Sequence, residues 1–150
     1  MMNNKNYTAS FLVDQTADEV FNAINNVYGW WSEDFKGSSD QLHDEFEVRF
    51  GDVHYSRHKI TESVPGKKIA WLVTDSQLNF LSNKTEWNNT TIIFDIASKG
   101  DQTELNFTHV GLVPGIECYN NCSNGWRHYL NNSLIPMITT GKANPNQKRS

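Results

Sequence analysis

Residues 90–110, TTIIFDIASKGDQTELNFTHV, carry the clearest structural signal in the sequence. Apolar side chains alternate with polar ones in both halves of this segment, and one face carries Ile92, Phe94, Ile96, Leu105, Phe107 and His109. Strict alternation is typical of a strand with one buried face, and Lys-Gly-Asp at 99–101 is typical of a tight turn. The segment therefore predicts a β-hairpin.

The sequence on the N-terminal side predicts more strands and one short helix. Apolar side chains also share one face at residues 7–13, 46–50 and 69–73. Thr16 followed three residues later by Glu19 is a capping-box pattern, which predicts a helix that ends near Asn25. Residues 76–89 are polar, and we expect their apolar side chains to fold back onto the domain; these are Leu78, Phe80, Leu81 and Trp87.

The C-terminal side predicts one long amphipathic helix over about 116–140, because Trp126, Leu130 and Leu134 recur at four-residue steps. Pro136 removes a backbone donor, so we expect a kink near Asn132. We predict a single domain over residues 1–141 and a disordered tail over residues 142–150.

Strand, helix, consecutive hairpins and a long helix predict an α+β domain. We expect a curved antiparallel sheet of six to seven strands, wrapped around the C-terminal α-helix. A single helix about 10 Å across does not fill the concave face of such a sheet. We therefore expect a space there, filled by large side chains or by a ligand.

Composition excludes several classes of function. The formal net charge is −4 and the 13 Lys and Arg residues are scattered, which argues against a nucleic-acid partner. No run of apolar residues is long enough for a membrane span, and the N-terminus lacks a signal-peptide pattern, so we expect a cytoplasmic protein. No phosphate-binding loop, nucleophile elbow or zinc motif occurs, so we expect no cofactor, no metal and no catalytic residue.

The two cysteines, Cys118 and Cys122, lie four residues apart. In a cytoplasmic chain we interpret them as reduced thiols rather than a disulfide. A metal site is a weaker alternative, because His109 and His128 flank the pair at irregular spacing.

Several short phrases in a fixed order resemble a known family over about residues 7–141. They are Trp30-Trp31, VPGKK at 64–68, Glu86-Trp87 ahead of TIIF at 91–94, TELNFTHVGL at 103–112, and Gly125-Trp126 with Tyr129-Leu130. In these the chain resembles the START-like superfamily, also called the SRPBCC or helix-grip group. Within it, the chain is similar to domains related to the activator of the heat-shock protein 90 ATPase.

The resemblance implies a ligand cavity between the sheet and the C-terminal helix. The residues that we expect to line it are Trp30, Trp31, Phe46, Val48, Trp71, Phe94, Phe107, His109, Trp126 and Leu130. For the tryptophans, plain core packing is the alternative. A ligand-binding interpretation requires a cavity of roughly 300 Å³ or more.

Three functions remain open at this stage. The preferred one is non-enzymatic binding of a small apolar or lipid-like molecule by a monomer or weak dimer. The first alternative is a cochaperone-like or stress-related protein-binding module, with a chaperone or another protein as partner. The second is a cofactor-free cyclase or hydrolase in which His109 acts as acid or base; a buried His109 held by its neighbours is the competing interpretation.

Overall fold

The computed structural model describes residues 6–147. In chain order the elements are β1 (Tyr7–Val13), α1 (Ala17–Asn25), α2 (Val27–Trp30), β2 (Phe35–Gly37), β3 (Glu45–Phe50), β4 (His54–Val64), β5 (Lys68–Leu78), β6 (Thr91–Lys99), β7 (Gln102–Val110), α3 (Tyr119–Tyr129), a π-helical segment (Leu130–Leu134) and α4 (Ile135–Thr140).

The strands form one seven-stranded antiparallel sheet in the order β1-β7-β6-β5-β4-β3-β2. The predicted hairpin is β6 and β7, in which Phe94 lies opposite Phe107 and Ile92 lies opposite His109. Register shifts in the β4–β5 pair mark bulges, which bend strands and so curve the sheet. The predicted α+β fold, a curved antiparallel sheet with a C-terminal helix, is confirmed.

The capping box at the start of α1 is present as the sequence indicates. The backbone N–H of Glu19 donates to Thr16 Oγ1 at 3.1 Å, and the backbone N–H of Thr16 donates to Glu19 Oε1 at 2.9 Å. A cap of this kind contributes about 1 kcal/mol to helix stability. It fixes α1 so that Val20, Phe21 and Ile24 are buried.

The C-terminal helix is interrupted where Pro136 predicts an interruption. It begins at Tyr119 rather than near residue 116, widens into the π-helical segment over Leu130–Leu134, and continues as α4. A proline inside an α-helix would clash with the carbonyl four residues before it, and the wider turn avoids this clash. The helix ends at Gly141, whose φ is +81°.

Residues 142–147 pack against the domain, which differs from the predicted disordered tail. Asn146 donates its backbone N–H to Trp31 O at 3.0 Å and accepts from the backbone N–H of Glu33 at 2.8 Å. The backbone N–H of Asn144 donates to Ser133 Oγ at 2.8 Å. These polar partners give a segment with little apolar content a fixed position; residues 148–150 lie outside the described residues.

Candidate binding cavity beside the C-terminal helix

Aromatic rings fill most of the space between the sheet and the C-terminal helix. Trp31 lies at the centre, stacked on Trp126, Trp71 and Trp30 with ring centroids 4.9, 5.7 and 6.0 Å apart. All four indoles are at most 3% exposed. Each such ring pair adds about 0.5–1.5 kcal/mol to the burial of its apolar area, so this stack is a major source of stability.

The structure buries every candidate residue that the sequence suggested. Trp31 and Trp126 line an open cavity, whereas the other candidates pack within the core. For example, the ring of Phe94 lies 5.2 Å from that of Phe107, centroid to centroid. These other candidates are Trp30, Phe46, Val48, Trp71, Phe94, Phe107, His109 and Leu130.

An apolar cavity of about 230 Å³ remains beside α3, and we call it the α3 cavity. Its lining consists of Trp31, Phe50, His54, Phe80, Trp87, Asn121, Cys122, Gly125, Trp126 and Tyr129. The lining contains no lysine, arginine, aspartate or glutamate. The volume is below the roughly 300 Å³ that the sequence-based hypothesis requires, because the indole stack occupies the interior.

Gly125 in the middle of α3 keeps part of this cavity open. A Cβ atom built on Gly125 would meet no other atom within 4 Å, so space for a side chain exists there. Glycine inside a helix costs about 0.5–1 kcal/mol relative to alanine. Gly125 therefore makes the helix less stable than alanine would, at a position that faces the cavity.

His109 lies in the core, with a protein partner for each ring nitrogen. The indole N–H of Trp126 donates to Nδ1 at 3.0 Å, and Thr90 Oγ1 lies 2.8 Å from Nε2. Because indole only donates, Nδ1 carries no proton, so Nε2–H donates to Thr90, which in turn donates to Trp87 O at 2.7 Å. Burial lowers the pKa of His109 to about 3, with a smaller electrostatic contribution from the neighbouring His54. His109 thus has no nitrogen free for a ligand or for proton transfer.

Two histidines on β4, His54 and His58, are linked through the hydroxyl of Ser56. We call these three residues the β4 relay. The Ser56 hydroxyl lies 2.8 Å from Nε2 of His54 and 2.8 Å from Nε2 of His58. His58 and Ser56 are fully buried, whereas His54 lines the α3 cavity. Burial lowers the pKa of His54 to about 3 and the pKa of His58 well below its ordinary value, so both imidazoles are neutral.

The sequence interpretation missed His54, Ser56 and Gly125. A signal was available for β4, because His54, Ser56 and His58 share the parity of Ile60, which is 1% exposed. Arg57, on the opposite parity, pairs with Glu45 and Glu47, whereas His58 is fully buried. The pattern that indicates the relay is therefore a set of polar residues that alternate in step with a buried apolar residue of the same strand.

The segment between β5 and β6, residues 79–90, forms one wall of the cavity. The Glu86 carboxylate accepts from the backbone N–H groups of Glu117 and Cys118 at the start of α3. The Glu117 carboxylate accepts in return from Ser82 and Asn83 at 2.9–3.1 Å. Two reciprocal carboxylates therefore attach this wall to α3, and we call this arrangement the double clasp.

The prediction that the apolar residues of 76–89 fold back onto the domain is correct for all of them except Phe80. Leu78, Leu81 and Trp87 are buried, whereas Phe80 is 43% exposed at the rim of the cavity.

The sulfur atoms of Cys118 and Cys122 lie in contact, with a Cα–Cα distance of 5.4 Å. One helical turn places the two Cα atoms within disulfide range, and the interpretation of the pair as two reduced thiols stays a prediction.

A polar groove of about 900 Å³ adjoins the α3 cavity and shares Phe50, His54 and Tyr129 with it. Its other lining residues include Asp34, Arg49, Asp52, Gln77 and Asn79. His54 therefore stands between an apolar cavity and a polar groove. Within residues 6–147, no group of three His, Cys, Asp or Glu side chains could hold a metal ion.

A curved antiparallel sheet closed by an interrupted C-terminal helix, with a cavity beside that helix, defines a helix-grip domain. The family model described as "Activator of Hsp90 ATPase homolog 1-like protein" matches residues 14–135. The chain belongs to this family, whose domains are of the ligand-binding type. Among curated proteins, none matches this sequence.

Solved structures share the fold at low sequence identity. The solution structure of the Aha1 dimer from Colwellia psychrerythraea matches with a TM-score of 0.75 and 20% identity, over 93% of this chain and 99% of that chain. SSP2350 from Staphylococcus saprophyticus matches with a TM-score of 0.69 and 14% identity, over 93% and 96%. CalU16 from Micromonospora echinospora matches with a TM-score of 0.63 and 16% identity, over 89% and 74%. In the part of the chain that the structure describes, no helix is long and apolar enough to cross a membrane.

Proposed function

We propose that this protein binds a small, ring-bearing apolar molecule in the α3 cavity, without catalysing a reaction. The observation that carries the proposal is a cavity walled by Trp31, Trp87 and Trp126 and kept open by a glycine in the middle of α3. Aromatic walls favour flat apolar ligands, because stacked rings bury large areas with little loss of side-chain freedom.

The cavity volume narrows the class of ligand that the sequence suggested. A cavity of about 150 Å³ lined by apolar side chains holds one benzene ring. A volume of about 230 Å³ is therefore suited to a ligand of one or two rings. A lipid-like molecule is too large for this space, so the proposal covers small ring compounds only.

Binding can be tested with tetralin, an uncharged molecule of two fused rings, in titrations followed by calorimetry and by tryptophan fluorescence. Gly125→Leu should abolish binding, because its side chain occupies the cavity. Asn120→Leu adds the same side chain to an exposed position of the same helix and should bind as the parent does. Equal binding by the parent and Gly125→Leu would refute this site.

The natural ligand can be sought by native mass spectrometry of protein purified from its own host, followed by denaturing extraction. A stoichiometric small ring compound would support the proposal and name the ligand class. A bound adduct that Gly125→Leu retains would place the ligand elsewhere.

A second candidate function is binding to a chaperone of the Hsp90 class, in the cytoplasm, by a monomer or weak dimer. The family description and the exposed ring of Phe80 support it. Stimulation of Hsp90 ATPase activity that is lost in Phe80→Ser would support this role. Leu42→Ser, at an exposed apolar residue outside this rim, is the matched control.

A further inference from the structure

His54 is a polar residue of the α3 cavity whose hydrogen-bonding direction the fold determines. The indole N–H groups of Trp31 and Trp87 in the same lining are donors by their own chemistry, and that of Trp87 is buried without a partner among residues 6–147. Tyr129 and Asn121 also bring polar groups to the lining, but a hydroxyl and an amide can each donate or accept. They therefore do not discriminate between ligand donors and acceptors. A neutral imidazole with one nitrogen engaged presents either a donor or an acceptor at its other nitrogen.

The β4 relay determines whether His54 presents a hydrogen-bond donor or an acceptor to the cavity. His58 Nδ1 is buried and has no hydrogen-bond partner within residues 6–147. A buried N–H without a partner is rarer than a buried acceptor without one, so the proton of His58 belongs on Nε2. His58 Nε2–H then donates to Ser56 Oγ, and the Ser56 hydroxyl donates to His54 Nε2.

The remaining proton of His54 consequently lies on Nδ1. This nitrogen has no hydrogen-bond partner among the described residues, and it is not one of the buried unpartnered atoms. His54 thus holds an N–H donor at the junction of the α3 cavity and the polar groove. The opposite tautomer of His54 would leave one buried donor unpaired, either the Nδ1–H of His58 or the hydroxyl of Ser56, so the relay disfavours it.

The lining also decides the charge of the ligand. No lysine, arginine, aspartate or glutamate side chain contributes to it. A charged ligand would lose its hydration without meeting an opposite charge, which is strongly unfavourable. An uncharged ligand with one acceptor atom loses little hydration and regains one hydrogen bond.

We propose that the α3 cavity takes an uncharged ring compound that carries a carbonyl-type acceptor oxygen, and that His54 Nδ1–H selects this oxygen. The proposal rests on the proposed function, because it names the ligand chemistry of the same cavity. It assigns His54 a specificity-determining role and Ser56 a positioning role through the β4 relay.

Three probes with the same ring skeleton test this proposal: tetralin, 1-tetralone and tetralin-1-carboxylate. The parent protein should bind 1-tetralone about twofold to tenfold more tightly than tetralin, since one net hydrogen bond contributes about 0.5–1.5 kcal/mol. The carboxylate should bind at least about tenfold more weakly than the ketone. His54→Phe should remove the preference for the ketone, so that the ratio of the tetralin and 1-tetralone dissociation constants falls to about one.

Ser56→Ala should also shrink the preference, because it releases the tautomer of His54 while keeping the imidazole. Should this buried substitution unfold the protein, NMR of ¹⁵N-labelled histidine in the parent gives an independent readout. It should show Nδ1–H on His54 and Nε2–H on His58. The opposite tautomers would overturn the proposal.

The outcomes separate this proposal from the broader one. Binding of tetralin and 1-tetralone with equal affinity by the parent would overturn the His54 assignment and leave the cavity-binding function standing. Failure of all three probes to bind would refute the proposed function itself. Retention of the ketone preference in His54→Phe would also overturn the assignment.

Discussion

The indole N–H of Trp126 donates to Nδ1 of His109 at 3.0 Å, which joins the C-terminal helix to the last strand of the sheet. The same imidazole reaches Thr90 and, through it, the carbonyl of Trp87. One neutral histidine therefore connects α3, β7 and the cavity wall at residues 79–90. Removing a partner from such a buried chain costs more than one average hydrogen bond, because the other group stays unpaired.

Thr90→Val should destabilise the protein by about 1–3 kcal/mol, because His109 Nε2–H loses its acceptor while the side-chain shape is kept. Urea denaturation monitored by circular dichroism measures the change. Thr91→Val makes the same replacement at the neighbouring residue, in β6, and should have a much smaller effect. Equal losses in the two variants would show that the hydroxyl of Thr90 is not needed by His109.

Stability should fall as the pH drops from 6.5 towards 3, because the folded state holds His54 and His109 neutral, each with a pKa of about 3. In this window the unfolded chain binds protons at both imidazoles, and the folded chain does not. The free energy of unfolding should decrease by up to about 1.4 kcal/mol per pH unit for each histidine. Above pH 6.5 these two residues should cause no further change.

Urea denaturation at a series of pH values measures this slope. His109→Phe should flatten it by about one proton, because this imidazole is neutral in the folded chain and charged in the unfolded one. A parent slope of zero below pH 6.5 would contradict the assignment of neutral buried imidazoles.

Alanine should have opposite effects at two glycines that both have open space around them. Gly125→Ala should stabilise the protein by about 0.5–1 kcal/mol, because it removes a helix-interior glycine. Gly141→Ala should destabilise it by a similar amount, because φ is +81° at the helix C-cap. Thermal denaturation of the two variants tests the contrast, and changes of the same sign would contradict it.

Glu117→Gln should loosen the segment 79–90 from α3, because an amide accepts hydrogen bonds more weakly than a carboxylate. The backbone N–H groups of Ser82 and Asn83 lower the pKa of Glu117, so the ionised form holds the double clasp. Its contribution is present above the pKa of the unfolded chain and is lost as pH falls through the lower folded pKa.

Hydrogen exchange at the amides of Ser82 and Asn83 measures the loosening, and both should exchange faster in Glu117→Gln. The control variant is Glu62→Gln, whose carboxylate pairs with Lys68 at the far end of β4. Unchanged exchange in Glu117→Gln would show that Glu86 alone is sufficient to hold the wall.

The sequence predicted the elements that depend on local pattern and left open those that depend on packing. Alternation in residues 90–110 was enough for the hairpin, and Thr16 with Glu19 was enough for the start of α1. Whether Trp31 faced a large cavity or a stack of rings depended on its distances to Trp71 and Trp126, which are remote from it in sequence. No periodicity contains that information.

The polar side of the site shows the same limit. The sequence did not predict that His54 and His58 face the interior, because the bulges in β4 depend on its pairing with the partner strand β5. The position of residues 142–147 depended on backbone groups of Trp31 and Glu33, which leave no signal in the tail itself. Pairings of this kind require coordinates.

The indole stack around Trp31 also has an optical consequence. Its planes lie within 17–25° of those of Trp30, Trp71 and Trp126, at 4.9–6.0 Å between centroids. At such distances and angles the transition dipoles of the four indoles couple to one another. The four rings therefore absorb light as one chiral group of coupled chromophores rather than as separate indoles. The folded chain should thus show an intense exciton couplet in its circular dichroism spectrum. A change in this couplet would report that a bound ligand has separated the rings.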